Sequence, residues 1–65
     1  MRSIYNVSSY DNNGNRILFG EFDKLKAAED CAEGFALNHL NLMVYIDEMK
    51  DKKSVKQWTY QMVDI

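Results

Sequence analysis

The stretch Ile4-Tyr5-Asn6-Val7-Ser8-Ser9-Tyr10-Asp11-Asn12-Asn13-Gly14-Asn15-Arg16-Ile17-Leu18-Phe19-Gly20-Glu21-Phe22 decides the fold. Asn and Gly tolerate the positive φ that tight turns require, so Asp11 to Asn15 reads as a turn. On either side lie segments rich in β-branched and aromatic residues. The stretch therefore predicts a β-hairpin over 3–22.

Working outward, Asp23 stands where a helix needs an acceptor for its first free N–H groups. Leu25, Ala28, Ala32, Phe35, Ala36, His39 and Leu40 then recur at helical spacing. Lys26, Asp30, Glu33, Gly34 and Asn38 fall on the other side, which predicts an amphipathic helix over 23–40. Asn38 and Asn41 bracket its end, where Asn can take the left-handed cap. A second hairpin is predicted over 42–64. Leu42-Met43-Val44-Tyr45-Ile46 forms one strand, the alternating segment Val55 to Val63 forms the other, and Asp51 to Ser54 make the turn. Residues 46–50 suit either a strand or a helix. The order is ββαββ: one small α+β domain, a two-layer sandwich in which a single helix lies across an antiparallel four-stranded sheet.

Composition narrows the function classes. The chain has 65 residues, formal net charge −2, 46% hydrophobic and 28% charged residues, one cysteine and no proline. Such a composition is that of an ordinary globular domain, not a disordered segment. A single Cys31 cannot close an intramolecular disulfide, which excludes the disulfide-stapled secreted scaffolds. Met1-Arg2-Ser3 leads straight into strand-like sequence, so no signal peptide and a cytoplasmic location are expected. Leu42 to Ile46 is the longest apolar run and is far too short to span a bilayer. Apolar burial contributes on the order of 100 kcal/mol for a chain of this size. Ordering its residues costs about the same. A monomer balances near zero, and a partner surface would supply what is missing.

Alternation says where that surface could lie. One helix covers one sheet face. Trp58, Tyr60 and Met62 share one side of the last strand and are expected under the helix, with Leu42, Val44 and Ile46 beside them. Strict period 2 then sends Met43 and Tyr45 outward. The same rule separates Leu18 and Phe22 from Ile17 and Phe19, and Ile4 and Tyr10 from Tyr5 and Val7. A second apolar face follows, expected to carry Ile17, Phe19, Met43 and Tyr45. Leu37, on the polar side of the helix, is a further candidate contact. Contiguous exposed apolar patches mark interfaces.

Chemical sites are sparse. His39, the only histidine, could be a base or a ligand, but its place on the apolar stripe favours a packed or capping role. Cys31 lies eight positions earlier, roughly 12 Å along the helix axis, too far to share a zinc ion. Ser3, Ser8, Ser9 and Ser54 lack the elbow or glycine-rich setting of a nucleophile. Asp47 and Glu48 would point to opposite faces of a strand. No catalytic, metal or cofactor-binding residues are therefore assigned, and no enzyme is expected. Lys50, Lys52, Lys53 and Lys56 form a basic cluster at the second hairpin, with Arg16 at the first. Phosphate binding rests on positive charge. Here the net charge is negative, and Asp47, Glu48 and Asp51 are interleaved with the lysines. Nucleic-acid binding ranks last, and the cluster reads as a solvated hairpin end that blocks edge aggregation.

The pattern Tyr5-x-Val7, Tyr10-Asp11-x-x-Gly14, Phe22-Asp23-x-Leu25 and an alanine-bearing helix resembles small uncharacterised accessory proteins of phages and mobile elements. The resemblance covers about the first forty residues. It implies a protein that acts by binding a host protein or enzyme, and it carries over no catalytic residue. The sequence thus leads to a non-enzymatic protein-interaction module, homodimeric through the uncovered sheet face or an edge strand. A phage-type inhibitor of a host protein is the first alternative, and a weak nucleic-acid binder the second.

Overall fold

The computed structural model describes residues 3–63. The elements are β1 (Ile4–Tyr10), β2 (Arg16–Phe22), α1 (Leu25–Asn38), β3 (Val44–Lys50) and β4 (Lys53–Tyr60). All strand pairs are antiparallel, in the order β2-β1-β3-β4, so β1 and β3 are central and β2 and β4 are edges. The fold is the ββαββ α+β arrangement expected. Position 64 of the expected second hairpin lies outside the described residues, as do Met1 and Arg2 of the expected strand-like start.

Turn chemistry fixes both hairpins. Asp11 Oδ1 accepts the backbone N–H groups of Asn13 at 2.9 Å and Asn15 at 2.8 Å. Gly14 takes φ 82°, which lets the chain return to pair Tyr10 with Arg16. The second turn is tighter than expected. Lys50 pairs with Lys53, and Asp51 and Lys52 take φ 51° and 66°. Two consecutive residues with positive φ make a type I′ turn, whose twist matches the flanking strands. The ambiguous 46–50 segment is strand, because its backbone pairs with β1 and β4 over 46–49 and with β4 at Lys50.

The helix begins later than expected. Lys24 is extended, with φ −128° and ψ 136°, and no side chain caps the end. Asp23 therefore sits one position too early to serve as the cap. At the other end the cap is His39, with φ −134°, so the left-handed Asn cap does not form; Asn41, two residues further on, takes φ 70° in the turn that follows. Ala28, Ala32 and Ala36 are buried against Val7, Val44 and Ile46. Their small side chains bring the helix close to the sheet. Tyr5, Phe22, Leu25, Leu42, Trp58 and Tyr60 close the margins of this core. Two expectations fail here. β4 ends at Tyr60, so Met62 is exposed rather than placed under the helix, and His39 and Leu40 leave the buried stripe as the helix stops at Asn38. Among the described residues, no helix is long and apolar enough to cross a membrane.

Candidate functional site

The site is governed by a bulge in β2. Pairing with β1 runs from Tyr5↔Phe22 to Val7↔Gly20 and resumes at Ser8↔Leu18, leaving Phe19 opposed by no residue. An extra residue resets the side-chain alternation. Phe22 and Gly20 share the helix-covered face with Tyr5 and Val7, and Phe19 joins them there. Its ring lies flat on Phe35 of α1, with centroids 3.9 Å apart and planes 6° from parallel. A Cβ at Gly20 would come within 3.1 Å of the Phe22 ring, so the missing side chain makes room for that ring beside the bulge. Beyond the bulge Ile17, opposite Ser9, again faces the helix side, while Leu18 and Arg16 face away.

The uncovered face is not an apolar sheet. Glu21, Asn6, Asp47 and Gln57 form a polar row across all four strands. The Asp47 side chain is 13% exposed; its Oδ2 lies 3.7 Å from Arg16 Nη2. Its Oδ1 accepts hydrogen bonds from Gln57 Nε2 at 2.9 Å and Ser54 Oγ at 3.2 Å. Reaching Asp47 carries the guanidinium from β2 across β1 to β3. Asn6 Oδ1 is buried in this row without a donor among the described residues. At one end of the face Tyr10 meets Tyr45 edge-on, with centroids 5.6 Å apart. At the other, Ile4 is paired with Met49. The polar row separates the two apolar ends.

The five candidate interface residues therefore do not form one patch. Tyr45 lies on the uncovered face as expected. Phe19 packs on the helix side because of the bulge, and Ile17 faces that side too. Met43 precedes β3, and its carbonyl accepts a hydrogen bond from Ser9 Oγ at 2.7 Å. Leu37 is exposed on α1. Leu18 was not among the candidates, yet it is 49% exposed beside the edge. The signal that could have found it is Gly20, since a glycine inside a strand often marks a bulge.

The two edges differ in charge. β4 carries Lys53 and Lys56, Lys52 is in the turn before it and Lys50 ends β3, so the basic cluster is gathered at this end of the sheet. Lys56 Nζ stands 4.9 Å over the Trp58 ring, and Lys50 Nζ lies 4.0 Å from Glu48. β2 has no lysine, and its one cation, Arg16, is drawn inward to Asp47. Ile17, 43% exposed, and Leu18 stand at the β2 edge. Between β2 and the end of α1 runs a groove of about 320 Å³, lined by Ile17, Phe19, His39 and Leu42 with Asp11 and Asn12 on its rim. The His39 ring, 14° from parallel to Phe35 at 6.2 Å, extends the Phe19–Phe35 stack along it.

Reactive groups are few. Burial pushes the Cys31 thiol above its ordinary range, which keeps it protonated. Among the described residues, no group of three or more His, Cys, Asp or Glu stands together to hold a metal ion. The arrangement offers an apolar strand edge with a groove beside it. No family model matches this sequence, and comparisons with curated proteins and with solved structures give no significant match.

Proposed function

We propose that this protein is a non-catalytic interaction module that self-associates by strand addition along the β2 edge. One observation carries the reading: the two edges are guarded unequally. Edge strands are templates for pairing, and lysine on the edge is a common block. β4 has that block. Both edges expose apolar side chains, Ile17 and Leu18 on β2 and Val55 on β4, but Val55 stands between Lys53 and Lys56, whereas β2 has no lysine and its arginine is tied to Asp47. The uncovered face, with its polar row, supports the reading less well than this edge does. Strand addition gives affinity through main-chain hydrogen bonds and specificity through side chains seated beside the edge. The groove along β2 offers such seats.

Light scattering after size exclusion tests this. The wild-type chain is expected to elute as a dimer at high micromolar concentration. Leu18→Lys should reduce it to monomer without loss of fold, because the side chain is half exposed. Val55→Lys, on β4, should leave the mass unchanged. A monomeric wild type, or equal effects of the two substitutions, would overturn the proposal.

A further inference from the structure

The added strand could be β2, β4 or the 61–63 segment of another chain. We infer that it is β2 of a second copy, antiparallel, in one register centred between Phe19 and Gly20; this rests on the β2 edge being the contact. The argument is geometric. A strand with an extra residue presents an irregular ladder on its outer side as well as its inner one. A regular strand follows that ladder past Phe19 only by leaving that residue unopposed, as β1 does on the inner side. A strand with an extra residue at the facing position can oppose it residue for residue, and β2 itself is such a strand.

Side chains directly opposite one another in a ladder must lie on the same face. Centred between Phe19 and Gly20, the pairing sets Leu18 against the partner's Glu21, both on the uncovered face. Ile17 meets the partner's Phe22, both on the helix-covered face. Moving the centre by half a residue sets Leu18 against the partner's Gly20 or the partner's Phe22, which mixes faces. At the ends of the ladder Arg16 stands opposite the partner's Asp23, so no like charges are opposed. β4 fits poorly as the donor, since it brings Lys53 and Lys56 and carries its own irregularity opposite Glu48 and Met49. Pairing β2 with itself is isologous and closes at two subunits with only β4 edges left outside, whereas β2 with β4 would be heterologous and leave one β2 and one β4 edge able to add further chains.

Two single-cysteine proteins, Leu18→Cys and Glu21→Cys, each in a Cys31→Ala background, test the register. They are mixed in equal amounts and oxidised with glutathione disulfide, which takes up the two electrons released as the sulfurs join. A heterodimer linked between positions 18 and 21 is the expected main product, far exceeding either homodimer. Arg16→Cys mixed with Asp23→Cys is a second reporter on the same ladder. Light scattering on the unoxidised mixture is measured alongside. A dimer by mass that links 18 to 18 overturns the register and leaves the β2 edge standing; a dimer that links neither pair overturns both. A monomer by mass overturns both.

Discussion

The Phe19 ring rests face to face on Phe35, 3.9 Å between centroids, because Phe19 is the residue that β1 does not oppose. Strict alternation would place Phe19 and Phe22 on opposite sides. The bulge places both against the helix, and Ile17 follows. What a regular strand would have made an exposed aromatic face becomes the margin of the core and the wall of a groove.

This contact should be measurable as a coupling. Phe19→Ala and Phe35→Ala are each expected to cost about 2–3 kcal/mol, below the range for fully buried phenylalanine, because both rings are half-buried. A double-mutant cycle by urea denaturation should return a coupling of about 0.5–1.5 kcal/mol. Additive losses would mean that the rings do not depend on each other.

The Asp47 network predicts an asymmetry between its partners. Asp47→Ala removes two hydrogen bonds and the counter-charge of Arg16, and should destabilise by about 1–3 kcal/mol. Arg16→Ala should cost less than about 1 kcal/mol, since the pair is long and the guanidinium side is 44% exposed. Urea midpoints for the two variants check this ordering, and a larger loss for Arg16→Ala would contradict it.

Asp11 gives the first turn a pH dependence. The backbone N–H of Asn15 is the largest influence and holds its carboxyl below the ordinary carboxylate range; desolvation opposes it, and the backbone N–H of Asn13 adds to the lowering. A depressed folded value means that the stabilisation is complete above the unfolded pKa of about 3.9 and is lost as pH falls through the lower folded value. The amide proton shifts of Asn13 and Asn15 should titrate together, with a midpoint below that of a free aspartate. A midpoint at or above it would place the carboxylate elsewhere. Asp11→Asn keeps the acceptor oxygen and should remove the titration while preserving the hairpin.

Much of the fold was legible because it rests on short-range signals. The Asp11–Asn15 turn, the alanine stripe at 28, 32 and 36, and the alternation of Trp58 and Tyr60 each specify geometry within a few residues. The site was less legible for physical reasons. A bulge depends on which strand lies opposite, and nothing near Phe19 except Gly20 announces it. Arg16 looked like part of a basic surface until the fold brought Asp47 within its reach, two strands away. The Asp23 cap was lost when a single residue, Lys24, stayed extended. Even the paired serines show the limit: Ser8 and Ser9 are 1% and 2% exposed, one on each face of the central strand β1.

Amide hydrogen exchange measured across protein concentration probes the β2 edge directly. Residues of β2 should gain more protection than those of β4 as the chain is raised from low to high micromolar concentration, because only β2 forms new hydrogen bonds in the contact while β4 shares only the general stabilisation of the fold. Protection of β2 that does not change with concentration, or protection that grows on β4 instead, would contradict the assignment of β2 as the self-association edge.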